Sequence, residues 1–189
     1  MMSMIDPRKV HPIEYRYGCE ELRRIFSVEN FYRTMAMVEL AVVEKQEKHG
    51  IVPDGTSGAL RRAIEKLDVN DIFEEEKITR HDIMALINVL ARHMGELGEY
   101  IHIGLTSADL RDTAKVLILR EALDHIESKL KLLIKCLGEL ASRYIDLPCV
   151  ARTHGMHASI YTLGRKFAVF ADEFLRHIER IHDARKRIF

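Results

Sequence analysis

The 189-residue sequence predicts an all-α fold: a small amino-terminal helical domain over 1–104, then the first long antiparallel helices of a bundle over 105–189. Three observations predict it. From Asp109 to about Ile145 there is no proline, and Gly138 is the only glycine. Across that stretch Val116, Leu119, Leu123, Ile126, Leu130, Leu133, Leu137, Leu140 and Tyr144 alternate in steps of three and four, the seam of a helix packed along its neighbours. A second such run follows around Ala158, through Ile160, Leu163, Phe167, Phe170, Phe174, His177, Ile181, Ala184 and Ile188. Asp146-Leu147-Pro148 breaks the two runs apart, so a long antiparallel hairpin is expected, its first arm about 55 Å long at 1.5 Å per residue.

The shorter elements upstream follow from local signals. Residues 1–18 hold Pro7 and Pro12 and are expected to be irregular. Ser27 caps a helix reaching about His49, with Phe31, Met35, Val38 and Val42 on its apolar face and Gly50 ending it. Pro53-Asp54-Gly55 is a turn. Leu60, Ile64 and Leu67 mark a short helix, and Asp71 to Lys77 a short acidic one, whose Glu74-Glu75-Glu76 reads as a solvated face. Thr79 and Asp82 have capping-box spacing, placing His81 in the first turn of a helix with Ile83, Leu86, Ile87, Leu90 and Met94 inward. Thr106 and Asp109 repeat that spacing and start the first long helix near Ser107, whose free backbone N–H groups favour an anion such as a carboxylate or phosphate.

Composition narrows the class. Lys plus Arg equals Asp plus Glu at 29 each, so the basic excess of a nucleic-acid binder is missing. Cys19, Cys136 and Cys149 are odd in number, lack metal-type spacing, and read as reduced thiols of a cytosolic protein. No apolar run is long enough to cross a bilayer, so neither a membrane nor a nucleic acid is expected as partner. The apolar pattern is still running at Phe189, which leads us to expect a longer protein or partner chains over that face.

Between the long helices, Ala151-Arg152-Thr153-His154-Gly155-Met156-His157-Ala158 reads as a polar turn at a bundle end. Two histidines three apart, with no carboxylate nearby, are a poor metal site, and no metal is expected.

Three segments carry a family resemblance. The stretch from His102 through Gly104, Thr106, Ser107 and Asp109 to Thr113 resembles the first signature of the fumarase/aspartase superfamily of lyases, in its adenylosuccinate lyase form. Thr79-Arg80-His81-Asp82 and Thr153-His154-Gly155-Met156-His157-Ala158 resemble two further family segments, and Arg16-Tyr17 an amino-terminal phosphate-holding pair. The resemblance implies a C–N lyase that eliminates fumarate from adenylosuccinate to give AMP, and from SAICAR to give AICAR, with no cofactor. It implies His154 as general acid and His81 as a second catalytic residue that orients substrate. It implies substrate binding by Arg16, Tyr17, Arg80, Asp82, His102, Thr106, Ser107 and Thr153, and a homotetramer whose sites draw on three subunits. Two departures stand out. Ser159-Ile160-Tyr161 replaces the usual residues after His-Ala, and no stretch resembles the family segment that carries the serine base. The chain alone is therefore expected to be inactive. A sister lyase such as argininosuccinate lyase or fumarase, and a non-catalytic assembly fragment, are the alternatives.

Overall fold

The computed structural model describes residues 17–188, and these fall into two compact units, Met1–Leu119 and Arg120–Phe189. Arg16 lies outside the described residues.

The first unit opens with α1 (Glu20–Ile25) and α2 (Val28–Lys48). Ser27 caps α2, its hydroxyl accepting the Asn30 N–H at 3.1 Å, and Gly50 with φ 68° takes the chain out of the helix. The buried stripe of α2 is Tyr32, Met35, Ala36, Glu39, Leu40 and Val43. That is one position round from the expected face: Phe31 and Val38 only flank the core. Helices α3 (Thr56–Glu65) and α4 (Val69–Thr79) pack against α2, and α5 (Asp82–Met94) packs against α3 and α4. All five apolar residues expected to face inward on α5 are buried, as are Leu60, Ile64 and Leu67. Polar side chains fix how these helices meet. Glu47 of α2 accepts the Gly55 and Ser57 N–H groups at 2.6 and 2.8 Å, capping α3 from outside. Those bonds, with the Ser57 hydroxyl first among them, hold its carboxyl below the usual range. Glu75, one of the acid run, is not solvated: it accepts from Asn88 at 2.8 Å and pairs with Arg92 at 3.0 Å, tying α4 to α5. A 3₁₀ segment, Gly95–Tyr100, follows; a Cβ on Gly98 would lie 2.4 Å from the Ala91 carbonyl oxygen, so only glycine fits.

Helix α6 (Ser107–Arg143) is the first long helix. Its 37 residues give about 55 Å. Its buried apolar positions are Leu110, Ala114, Ile118 and Ala122, one residue every four, with Glu127 buried beyond them, while Leu119, Ile126 and Leu133 of the expected seam are exposed.

In the second unit the segment after α6 departs from expectation. The turn is an antiparallel hairpin, β1 (Pro148–Thr153) and β2 (Met156–Thr162), and α7 begins only at Leu163, running to Arg185. Thr153 pairs with Met156, so the loop is the two residues His154 and Gly155, with φ of 52° and 75°. Positive φ at both centres matches the hairpin turn whose twist suits its strands. Between the pairs Val150–Ile160 and Arg152–His157 the register shifts, β2 carrying the extra residue. Thr162 then caps α7, accepting the Arg165 N–H at 3.2 Å. A Cβ on Gly164 would stand 2.4 Å from the Ala141 carbonyl oxygen, which lets the start of α7 close on the end of α6.

Candidate functional site

In the first unit the junction of α4 and α5 meets the start of α6, bringing His81 to Ser107 and Asp82 to Arg111. Arg80 ends α4 in the left-handed region, φ 54°, and turns the chain sharply into α5. His81 is not in the first turn of α5 but is its N-cap, its Nδ1 accepting the Met84 N–H at 3.3 Å. The expected capping box at Thr79 is thus displaced by one short-range alternative: Thr79 belongs to α4, and its hydroxyl accepts the His81 N–H at 3.3 Å. Because Nδ1 accepts a backbone donor, it is bare and the ring hydrogen sits on Nε2. Nε2 faces Ser107 Oγ at 3.4 Å, at the first turn of α6. Asp82 Oδ1 lies 3.6 Å from Nδ1, too far to compete, and its carboxylate is held instead by the Arg111 guanidinium. Arg111 was not among the expected residues, although it stands four after Ser107 and so on the same side of α6.

The loop before α6 supplies the rest. Thr106 gives both its N–H (2.7 Å) and its hydroxyl (3.1 Å) to Asp109 Oδ2, so only the acid's half of the expected box forms; the Asp109 N–H goes to the Thr106 carbonyl at 3.1 Å instead of to its hydroxyl. His102 has φ 61° and is gripped by Glu39, which accepts its backbone N–H at 2.5 Å and meets Nδ1 at 3.0 Å. Glu39 is another residue sequence reasoning passed over; a lone acid inside the apolar stripe of α2 was the signal. Tyr17 is exposed, and its carbonyl accepts from Arg23 at 3.0 Å. In the second unit Thr153 and His154 are exposed at the hairpin tip, with the His154 ring carried on the left-handed first residue of the turn. His177, placed by its spacing in the second seam, is exposed and 3.1 Å from the Arg180 guanidinium.

The first unit thus sets a helix N-terminus, the Ser107 hydroxyl and the His81 Nε2–H donor at one corner. The sequence profile of the family described as lyase matches residues 16–189. This chain belongs to that lyase family. It is 42% identical over 181 residues to the adenylosuccinate lyase of Pyrococcus abyssi, covering 95% of this chain and 40% of that protein. The adenylosuccinate lyase of Methanocaldococcus jannaschii is 41% identical over 182 residues, with 95% and 39% covered. The N-acetyl-S-(2-succino)cysteine lyase of Enterococcus italicus is 32% identical over 175 residues, with 92% and 38% covered. Among solved structures, the 3-carboxy-cis,cis-muconate lactonizing enzyme of Pseudomonas putida superposes with a TM-score of 0.85 at 30% identity, covering 93% of this chain and 42% of that one. The fumarate lyase of Mesorhizobium sp. BNC1 gives 0.82 at 31%, with 91% and 42% covered. The chain therefore spans about 40% of the length of the curated lyases it matches.

Proposed function

We propose that this stretch forms the nucleotide-binding and proton-donating part of an adenylosuccinate lyase, which splits adenylosuccinate to AMP and fumarate and SAICAR to AICAR and fumarate. The observation that carries the reading is the identity of 42% with a protein of that name across 95% of the chain. Residues 1–104 would be its amino-terminal domain and 105–189 the beginning of a bundle shared in a homotetramer, working in the cytoplasm. No helix among the described residues is long and apolar enough to cross a membrane.

The chemistry assigns the roles. Elimination takes a proton from the carbon beside a carboxylate and breaks the neighbouring C–N bond. The departing purine amine needs a proton, and a histidine, titrating near neutrality, is matched to give it. His154, exposed on a turn whose conformation is set by Gly155, is that donor. Negative charge growing on the carboxylate is met by fixed donors: the Thr106 and Ser107 end of α6, Thr153, and Nε2–H of His81. Arg16, Tyr17, Arg80 and His102 hold the nucleotide, and Asp82, kept in place by Arg111, orients it. None of these steps calls on a cofactor.

Loss of adenylosuccinate absorbance, measured on this chain and on the longest product of its reading frame, tests the proposal. Turnover in the longer product is expected, and none in either favours a scaffold. His154→Ala in the active form should lower turnover by roughly 10²–10⁴-fold, the usual worth of a general acid, while AMP still binds. Near-normal turnover removes His154 from the mechanism. The likeness to a succinylcysteine lyase favours one second reading, elimination from a succinylated thiol, and the same assay with that substrate separates the two.

A further inference from the structure

Among the described residues of the first unit, Glu39 is the one carboxylate whose side chain is wholly buried, at 0% exposure. Burying an ionised group is costly unless its oxygens are fully engaged. Here both oxygens serve a single residue 63 positions away: Oε1 takes the backbone N–H of His102 at 2.5 Å, and Oε2 meets its Nδ1 at 3.0 Å. His102 in turn sits at φ 61°, a conformation that side-chain-bearing residues rarely hold without a reason, and is followed by Gly104 at 73°. A carboxylate oxygen only accepts, so the ring nitrogen facing it carries the hydrogen. That leaves Nε2 as the ring atom open to a ligand, on a side chain still 16% exposed.

We propose that Glu39 is a positioning residue: it clamps the loop before α6 in its left-handed bend and fixes the hydrogen of His102 on Nδ1, so that Nε2 is presented as an acceptor to a hydroxyl or amino hydrogen of the nucleotide. The contact between Nε2 and the nucleotide rests on the function proposed above; the clamp does not.

Ring-nitrogen NMR of the full 189-residue chain tests both. In the wild type, Nδ1 of His102 should keep a pyrrole-type shift from acid to alkaline pH. Glu39→Gln retains the shape, but its single carbonyl oxygen must stay on the backbone N–H. Its amide then faces the ring, and Nδ1 should change to a pyridine-type shift. A pyridine-type Nδ1 in the wild type, or a ring unchanged by Glu39→Gln, overturns the clamp; if the variant fails to fold, the wild-type spectrum decides alone. Titration with AMP should move Nε2 in the wild type, with the apparent Kd weakened about tenfold or more in Glu39→Gln, as for other residues that orient a ligating histidine. A protonated Nδ1 together with an Nε2 indifferent to AMP would keep the clamp and sink the nucleotide site.

Discussion

At the scale of single residues, the histidines show how position alone assigns a tautomer. His81 and His102 are both bound through Nδ1, but with opposite sense. His81 accepts from a backbone N–H at 3.3 Å, whereas His102 faces a carboxylate at 3.0 Å. The first ring therefore offers a donor at Nε2, and the second, when neutral, an acceptor. The donor's neighbour, Ser107, is set by the cap that starts α6. Asp109 Oδ2 takes both Thr106 donors in that cap, so Asp109→Ala should fray the first turn and cost about 0.5–2 kcal/mol, read as a lower midpoint in urea. A midpoint equal to the wild type would mean that the backbone holds the turn unaided. The sequence made this cap legible because its spacing is local. It hid the grip of Glu39 on His102, because a bond across 63 residues has no short-range signature.

At the scale of elements, helices were legible from their period, as in α5, where all five residues of the pattern are buried and only Ala85 and Val89 of the inward face were missed. The hairpin was not. Its apolar Ile160 also fits the helical step that continues into α7, and helix and strand periods cannot be told apart over so few positions. What decides is the His154-Gly155 pair, which accepts positive φ twice and lets two short strands pair. Farther along the two long helices, α6 and α7 are pinned by a charge cluster. Glu127 is met by Lys131 at 2.7 Å, by His182 at 3.2 Å and by Arg185 at 3.0 Å, and Arg185 also pairs with Asp124. Lys131 first, then His182, holds the Glu127 carboxyl down to about 2, against an ordinary value of 4.5. A carboxyl lowered by folding adds stability that is complete above its unfolded value and disappears as pH falls through its folded one. Glu127→Gln should therefore melt lower than the wild type at pH 6, with the gap narrowing below pH 4.5 and closing near pH 2. A gap that is constant with pH would assign the loss to packing instead.

At the scale of the whole molecule, the two units differ in what holds them. The first has a continuous core running from Tyr32 on α2 to Leu110 and Ala114 on α6. Among the described residues of the second, only Ala122, Glu127 and Gly164 are buried. Two helices and a hairpin with so little interior cannot offset the entropy of ordering them. Meanwhile Leu132, Val169, Phe170 and Leu175 stand 58, 55, 44 and 49% exposed. Large apolar side chains along helices of this length are what neighbouring helices cover in a bundle, and a second copy of the chain supplies the same pattern. Sedimentation at micromolar concentration should accordingly give a self-associated species. Leu132→Glu combined with Phe170→Glu should push it towards monomer and lower the helical circular dichroism, because the second unit loses its cover while the core of the first is untouched. A wild-type chain that sediments as a monomer with its full helical signal would show the long helices to be stable uncovered, and would remove the physical basis for a shared bundle.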